Sequence, residues 1–312
     1  MRLPQGGLHT TLRYIAKEIN VAPSTVSREI KRNTGLRGYR PQHSHEKAAK
    51  RQQNIPKVIH FTSQLRSVVK GYLKLDLSPE QIQGRLKKKK KKKKSVSPKT
   101  IYEYIQVDKL QGGELHTHLR GKRSKRKKYG SKDSRGQIVD RVSIDERPSI
   151  VDENTEFGHW EIDLVVGSHH KGFLVTVVER ITKASLIGHS ERKDAKSITA
   201  ELIKILKPYE DCVKTITADN GKEFAGHKEV AKELNADYYF AHPYSSWERG
   251  LNENTNGLIR QYFPKGTDLQ EVSQDELNFV MKRLNNRPRK TLNFETPEHL
   301  FNLEKPSVAL VA

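Results

Sequence analysis

Three acidic side chains stand where metal chemistry would need them. Asp163 interrupts the apolar run Trp160-Glu-Ile-Asp-Leu-Val-Val166, and Asp219 closes the run Val213-Lys-Thr-Ile-Thr-Ala218. Glu253 follows Gly250-Leu251-Asn252 at the start of a stretch with helical periodicity. In a strand, Ile162, Leu164 and Val166 share one face, so Asp163 points to the other. An unpaired carboxylate is costly to bury, and an acid at that position calls for a cation or for hydrogen-bond donors. Asp219 sits at a strand end, where α/β proteins tend to site ligands. Glu253 has Asn256, Gly257 and Arg260 as helical neighbours, on a helix expected to run to about Tyr262 and to be ended by Pro264. Acids on two strands and a helix offer the oxygen ligands that Mg²⁺ prefers. Taken singly, each is more often a turn or capping residue.

The elements that must position these acids can be read from pattern. Residues 160–166, 172–179 and 185–189 read as three consecutive strands, with Gly167-Ser168 turning between the first two. Ala195 to Leu206 reads as an amphipathic helix and 213–218 as a fourth strand. Gly226 to Leu234 is helical, Asp237 to Phe240 is a short strand, and helices follow. That order predicts a mixed α/β sheet. Asn220 and Gly221 are expected to form the turn that aims Asp219. Lys222, Arg249, Arg260 and Lys265 are candidates for phosphate contacts, with a solvated surface charge as the plain alternative for each. Trp247 is expected to pack under the helix that carries Glu253, with stacking on an end base as the alternative. His159, His169, His170 and His242 match no zinc spacing and stay outside the site.

The strings around the acids are specific. Phe157-Gly-His-Trp-Glu-Ile-Asp163, Thr217-Ala-Asp-Asn-Gly-Lys-Glu-Phe224 and His242-Pro-Tyr-Ser-Ser-Trp-Glu-Arg-Gly-Leu-Asn-Glu-Asn-Thr-Asn-Gly257 closely resemble the three catalytic blocks of DDE transposases and retroviral-type integrases. With 33 residues between Asp219 and Glu253, the chain looks like a member of the insertion sequence thirty family. Val142-Ser-Ile-Asp-Glu-Arg-Pro148, Asn285-Asn-Arg-Pro288 and Thr296-Pro297 match that pattern too. The resemblance implies a ribonuclease H-like catalytic domain in which Asp163, Asp219 and Glu253 ligate Mg²⁺, two ions per site, with Mn²⁺ able to substitute. Two ions roughly 4 Å apart would serve the attacking and leaving oxygens of a phosphodiester. It further implies double-stranded DNA partners, transposon ends and target, and a homo-oligomer of at least a dimer when two ends meet. The octalysine described below and a short N-terminus depart from the family pattern.

Charge divides the chain. Of 58 Lys and Arg against 37 Asp and Glu, residues 1–150 hold 37 basic and 12 acidic side chains. Residues 151–312 hold 21 and 25, so the basic half is built for a polyanion and the other half for something else. Residues 12–31 read as a helix-turn-helix. Ile15, Ala16 and Ile19 lie on one face, Asn20 suits a left-handed turn, and Pro23-Ser24 opens a second helix with Val26 and Ile30 inward. Ser24, Thr25, Ser27, Arg28, Lys31 and Arg32 are the expected DNA-facing side chains. A similar unit is expected over 77–105, with Leu86, Ile82, Ile101 and Ile105 as its core and Lys99 and Thr100 at the DNA. Between its helices runs Lys87–Lys94, read as a loop, either solvated or touching phosphate, because like charges at i, i+4 repel.

The expected organisation is multidomain: an all-α helix-turn-helix region over 1–55, a second helical DNA-binding region over 56–120, and a basic linker over 121–149. The α/β ribonuclease H-like domain with its mixed sheet then covers 150–305, and a tail covers 306–312. No stretch approaches about 18 apolar residues, and the N-terminus lacks a signal-peptide core. A single cysteine, Cys212, excludes internal disulfides and fits a reducing cytosol. The expectation is a bacterial cytoplasmic transposase that binds terminal inverted repeats and cleaves and joins strands with a metal. The alternative is a DNA-binding regulator derived from one, with an inactive core.

Overall fold

The computed structural model describes residues 11–36, 38–54, 61–89, 96–121, 138–243 and 245–305. The chain divides into two compact units, Met1–His60 and Phe61–Ala312. In the first, α1 (Leu12–Glu18), α2 (Pro23–Asn33) and α3 (Pro41–Asn54) follow one another. The Thr11 hydroxyl caps α1, and Asn20 reverses the chain at φ 51°. Pro23 opens α2, where a missing N–H costs nothing. Ala16 and Val26 are buried as the pattern requires, but Ile19 is exposed, because it falls at the cap beyond the last turn of α1. Asn33, which follows Lys31 and Arg32, is a core residue: its amide donates to Glu29 Oε1 at 2.6 Å and its oxygen accepts from Arg51 of α3.

The second unit opens with a small bundle, α4 (Ser63–Lys74), α5 (Pro79–Lys89) and α6 (Pro98–Leu110). Its core is Leu65, Val69, Leu73, Ile82, Leu86, Ile101 and Ile105. The lysine run corrects one expectation. Lys87 to Lys89 complete α5 rather than a loop, and Lys88 pairs with Glu295, an anionic partner supplied by the chain itself. Lys90–Lys94 lie outside the described residues.

The sheet has the order β3-β2-β1-β4-β5. Its strands are β1 (His159–Val166), β2 (Phe173–Glu179), β3 (Ser185–Ser190), β4 (Thr215–Ala218) and β5 (Asp237–Phe240). The first three form an antiparallel meander, and β4 and β5 run parallel to β1. This is the mixed sheet that the order of apolar runs predicts. The odd face of β1 and the even face bury different cores. Trp160 and Ile162 pack with α8 (Ala195–Leu206) and α9 (His227–Glu233), and Phe301 of α12 (Pro297–Glu304) meets the Trp160 ring edge-on at 6.0 Å. Val165, Leu174 and Ile187 pack with α10 (Gly250–Ile259) and α11 (Gln274–Asn285). The helix carrying Glu253 stops at Ile259, short of Tyr262. Among the described residues, no helix is long and apolar enough to cross a membrane.

The linker expected over 121–149 is shorter than the composition suggests. Residues 122–137 lie outside the described set, but Ile138 joins the sheet core, Val142 O accepts from Phe240 N at 2.9 Å, and the Arg147 guanidinium is buried against Thr217 Oγ1 at 3.0 Å. These contacts extend β5 by one more backbone rung, which composition cannot reveal. The short helix α7 (Ile150–Glu153) then buries Val151.

The bundle and the sheet region are pinned together. Asp76 accepts from Tyr262 Oη at 3.0 Å, and Gly84 of α5 lies directly under the Phe294 ring, where no Cβ fits. Gly84→Val should lower thermal stability by about 1–3 kcal/mol through overpacking. Phe294→Ala in the same chain should return part of that loss, and a melt of the double variant no higher than that of Gly84→Val would refute this docking.

Candidate active site

Strand register brings the first two acids together. Glu161 of β1 pairs with Thr217 of β4, so Asp163 and Asp219, two residues further along parallel strands, emerge side by side on one face. Adjacent strands lie about 4.8 Å apart. Asp219 is aimed by its own turn, in which Oδ1 accepts from Gly221 N at 3.0 Å. Asn220 anchors that turn by donating to Ala241 O and accepting from Arg141. At Gly221 a side chain would run into the Glu223 carboxylate, which is held by Lys193 at 3.0 Å.

Two neighbouring carboxylates repel unless a cation lies between them, and Arg249 supplies one. Its Nη2 is 3.4 Å from Asp219 Oδ2 and its Nη1 is 3.6 Å from Asp163 Oδ1. Nη1 also donates to Ile162 O at 3.1 Å. Burial, and then the charge of Asp219, push the Asp163 carboxyl above the usual range, against the pull of Arg249. Asp163 Oδ2 accepts from Asn256 Nδ2 at 2.9 Å, and Asn256 Oδ1 accepts from Thr176, the cross-strand partner of Asp163, at 3.0 Å.

Glu253 stands apart from this pair. It is exposed on α10, between Arg249 and Asn256 on the stripe those residues make at i, i+4 and i+7. Among the described residues no group of three or more His, Cys, Asp or Glu is close enough to hold a metal ion. The fold thus joins Asp163 and Asp219 and leaves Glu253 facing solvent on the helix beside them. A divalent cation fits the pair on two counts: the donors are oxygens, and they already draw one cation between them.

The remaining sequence candidates fall in several places. Lys222 is exposed at the mouth of an open cavity of about 570 Å³ that Asp163 and Asp219 line. Arg249 is not on a phosphate path here, being 11% exposed and spent on the acids. Arg260 likewise points inward, donating to Val166 O at 2.6 Å and Phe263 O at 3.5 Å, and burial lowers its pKa. Lys265 is exposed. Trp247, expected to pack under α10, is 75% exposed instead, because the short helix Ser246–Arg249 turns it outward. Ser24, Thr25, Ser27, Arg28, Lys31 and Arg32 are all exposed on α2, and Arg28 Nε donates to Ser24 O at 3.1 Å. Lys99 is exposed, 3.9 Å from Glu103, whereas Thr100 donates its N–H to the Ser97 hydroxyl that caps α6.

Pattern reading missed a buried ionic network behind the pair. Glu161, on the same face of β1 as Asp163, accepts from Arg180 at 2.6 Å and from the Asn252 backbone of α10 at 3.3 Å. Burial raises its pKa against the pull of Arg180. Arg180 and Arg147 both reach Asp152, at 3.4 and 2.5 Å. Only the Glu161 position inside an apolar strand hinted at this, since its partners lie on distant segments.

An integrase core domain model matches residues 153–246, and a helix-turn-helix domain model matches 10–33. The chain is 43% identical to the transposase for insertion sequence element IS4351 of Bacteroides fragilis, covering 96% of this chain and 93% of that one. It is 39% identical to transposase InsI for insertion sequence element IS30A of Escherichia coli (strain K12), covering 93% and 78%. The chain belongs to the IS30 family of transposases. This transposase has an integrase core and a helix-turn-helix DNA-binding domain. Among solved structures, the catalytic core domain of BIV integrase matches at 17% identity and a TM-score of 0.38, over 47% of this chain and 95% of that one.

One side chain ties the loop before α10 to the segment before the sheet. His242 donates its backbone N–H and lies with Nδ1 at 2.8 Å from Glu248, and its Nε2 is 2.9 Å from Asp145. The bond to Glu248, then that to Asp145, raise the imidazole pKa above its usual 6.5. A raised value means the contribution is complete below the ordinary pKa and is lost as pH climbs through the raised one. Hydrogen exchange of residues 241–249 should therefore quicken on going from pH 6 to pH 8 beyond the intrinsic rate change. His242→Gln should remove that excess, and an unchanged excess would show that another group is responsible.

Proposed function

We propose that this transposase binds the terminal inverted repeats of an insertion sequence and cuts and joins DNA strands at Asp163, Asp219 and Glu253. What supports the site is the parallel register that sets two carboxylates around a single cation, with Glu253 on the adjoining stripe of α10. Asp163 and Asp219 would hold the metal from the strands, and Glu253 would complete the set from the helix once its side chain turns toward them. A pair of Mg²⁺ ions, for which Mn²⁺ substitutes, supplies activation of water or a 3′-hydroxyl and stabilisation of the leaving oxygen when bound. Asn256 and Thr176 keep Asp163 oriented, and the Asp219 turn keeps the second carboxylate from rotating away. Lys222 stands where it meets the phosphate that enters the cavity. In this class of transfer the protein acts chiefly by positioning and electrostatics, with no covalent enzyme intermediate.

The α2 face carrying Ser24, Thr25, Ser27 and Arg28 would read the ends in the major groove, with Lys31 and Arg32 on the backbone. Synapsis of two ends would require at least two copies, acting on DNA in the bacterial cytoplasm. Asp219→Asn and Glu253→Gln should each abolish Mg²⁺-dependent nicking of a duplex carrying the element's own terminus while leaving binding to it nearly unchanged. Residual nicking by either purified variant would remove that residue from the site. End binding with no nicking by the unsubstituted protein would favour the regulator with an inactive core.

The basic half carries the polyanion grip. End-binding affinity should fall steeply and linearly on a log-log plot against salt, with a slope that approaches −0.9 per phosphate neutralised. Lys31→Ala and Arg32→Ala should each make that slope shallower by about one contact. Slopes equal to that of the unsubstituted chain would move those residues off the DNA.

A further inference from the structure

Trp247 is 75% exposed, which is unusual for so large an apolar ring, while the other tryptophan, Trp160, is fully buried. The residues after it are anchored. The next residue, Glu248, is clamped by the backbone and ring of His242, and His242 is in turn clamped by Asp145. Two residues on, Arg249 reaches the Asp163 and Asp219 carboxylates. The backbone that follows Trp247 is thus tied both to His242 and to the acids.

Trp247 also lines a cleft of about 620 Å³, whose floor includes Glu161. Glu161 and Asp163 are two residues apart on the same face of β1, so the cleft opens about 7 Å from the catalytic pair, taking the strand rise per residue. Its cations are spent on the protein's own groups. Arg180 is held by Glu161, and Arg147 by Asp152 and Thr217, with only 10% and 3% of those side chains exposed. Lys183 donates to Arg180 O, and His242, 43% exposed, has both ring nitrogens taken by Glu248 and Asp145. The carboxylates on the lip, Asp145 at 69% and Asp152 at 64% exposed, keep oxygens open to solvent beside the polar Ser149 and Asn154. An aromatic platform rimmed by hydrogen-bond acceptors suits an uncharged planar ring that carries amino groups.

We propose that this cleft takes an unpaired nucleobase of the bound strand, stacked on Trp247, with Asp145 and Asp152 accepting from its exocyclic amino group. Backbone phosphates stay outside, toward the cavity that Lys222 and the catalytic acids share. The occupant is a base next to the reacting phosphate, so the inference rests on the proposed strand chemistry. The lip acceptors select adenine and cytosine over thymine, which has no exocyclic amine.

The full-length chain supplies its own reporter, because Trp160 is shielded in the core and Trp247 is not. Tryptophan emission is titrated, in EDTA and at one salt concentration, with dC12, dT12 and an abasic 12-mer, while anisotropy of labelled oligonucleotide follows binding separately. Stacking by a base is expected to quench with dC12 more than with dT12 and not with the abasic strand. Trp247→Phe should remove the quenching, and Trp247→Ala should weaken dC12 binding about tenfold without changing abasic binding. Binding of dC12 without quenching, or equal quenching by the abasic strand, overturns the stacking, and equal behaviour of dC12 and dT12 overturns the role of the acceptors. Nicking of end DNA in Mg²⁺ is measured on the same preparation. Nicking without quenching leaves the strand chemistry standing and removes the base site, whereas quenching without nicking does the reverse.

Discussion

Two carboxylates held beside each other by a parallel strand register are the constraint around which the core of this transposase is built. The last β1 to β4 pair, Glu161 with Thr217, lies two residues before each acid and sets Asp163 and Asp219 side by side. Two unit charges about 5 Å apart repel by about 3 kcal/mol at an effective dielectric near 20, a large fraction of a domain's stability. The fold answers with positive charge and donors from one direction. Arg249 comes from the residue just before α10 and Asn256 from within it, and Leu164 N adds a backbone bond to Asp163 at 2.8 Å. The charge between the two acids is met by Arg249, which ties the segment leading into α10 to the ends of β1 and β4.

The docking of α10 is set from behind by a second group of charges. Glu161 accepts from the Asn252 backbone and from Arg180, while Arg180 and Arg147 share Asp152. Removing one partner of such a buried set costs more than the set contributes, because the remaining charge is left unpaired in a low dielectric. The network therefore acts as a register pin, holding the helix at one height against β1. The His242 clamp does similar work on the loop that leads into α10, but at the surface and with a protonation that depends on pH.

The chain's lopsided charge takes on a structural meaning in this setting. The excess of basic residues lies in the helical half, while the near-neutral half sets a few of its acids at defined places, Glu161 and Asp163 in β1 and Asp219 just past β4. The lysine run is partly absorbed into this scheme, since Lys88 ends up paired with Glu295 of the C-terminal region. A residue's charge alone does not say which partner it meets. Arg249 and Arg260 look like the phosphate-facing cations of their string, yet both guanidiniums are turned inward.

Local pattern determined much of this molecule. The strand and helix order, the left-handed turn at Asn20, the proline-started α2 and the turn that aims Asp219 all depend on residues close in sequence, whose steric and hydrogen-bonding preferences act locally. The strings around Asp163, Asp219 and Glu253 were legible for the same reason, and with them membership of the family. Tertiary structure alone decided the rest. That Arg249 lies between the acids, that Trp247 faces outward, that Ile138, Val142 and Arg147 pack against the sheet and that α5 extends into the lysines follow from contacts between segments tens to hundreds of residues apart. Such contacts depend on which faces of two distant elements meet, and that is settled by packing and charge compensation in three dimensions rather than by any periodicity in the chain.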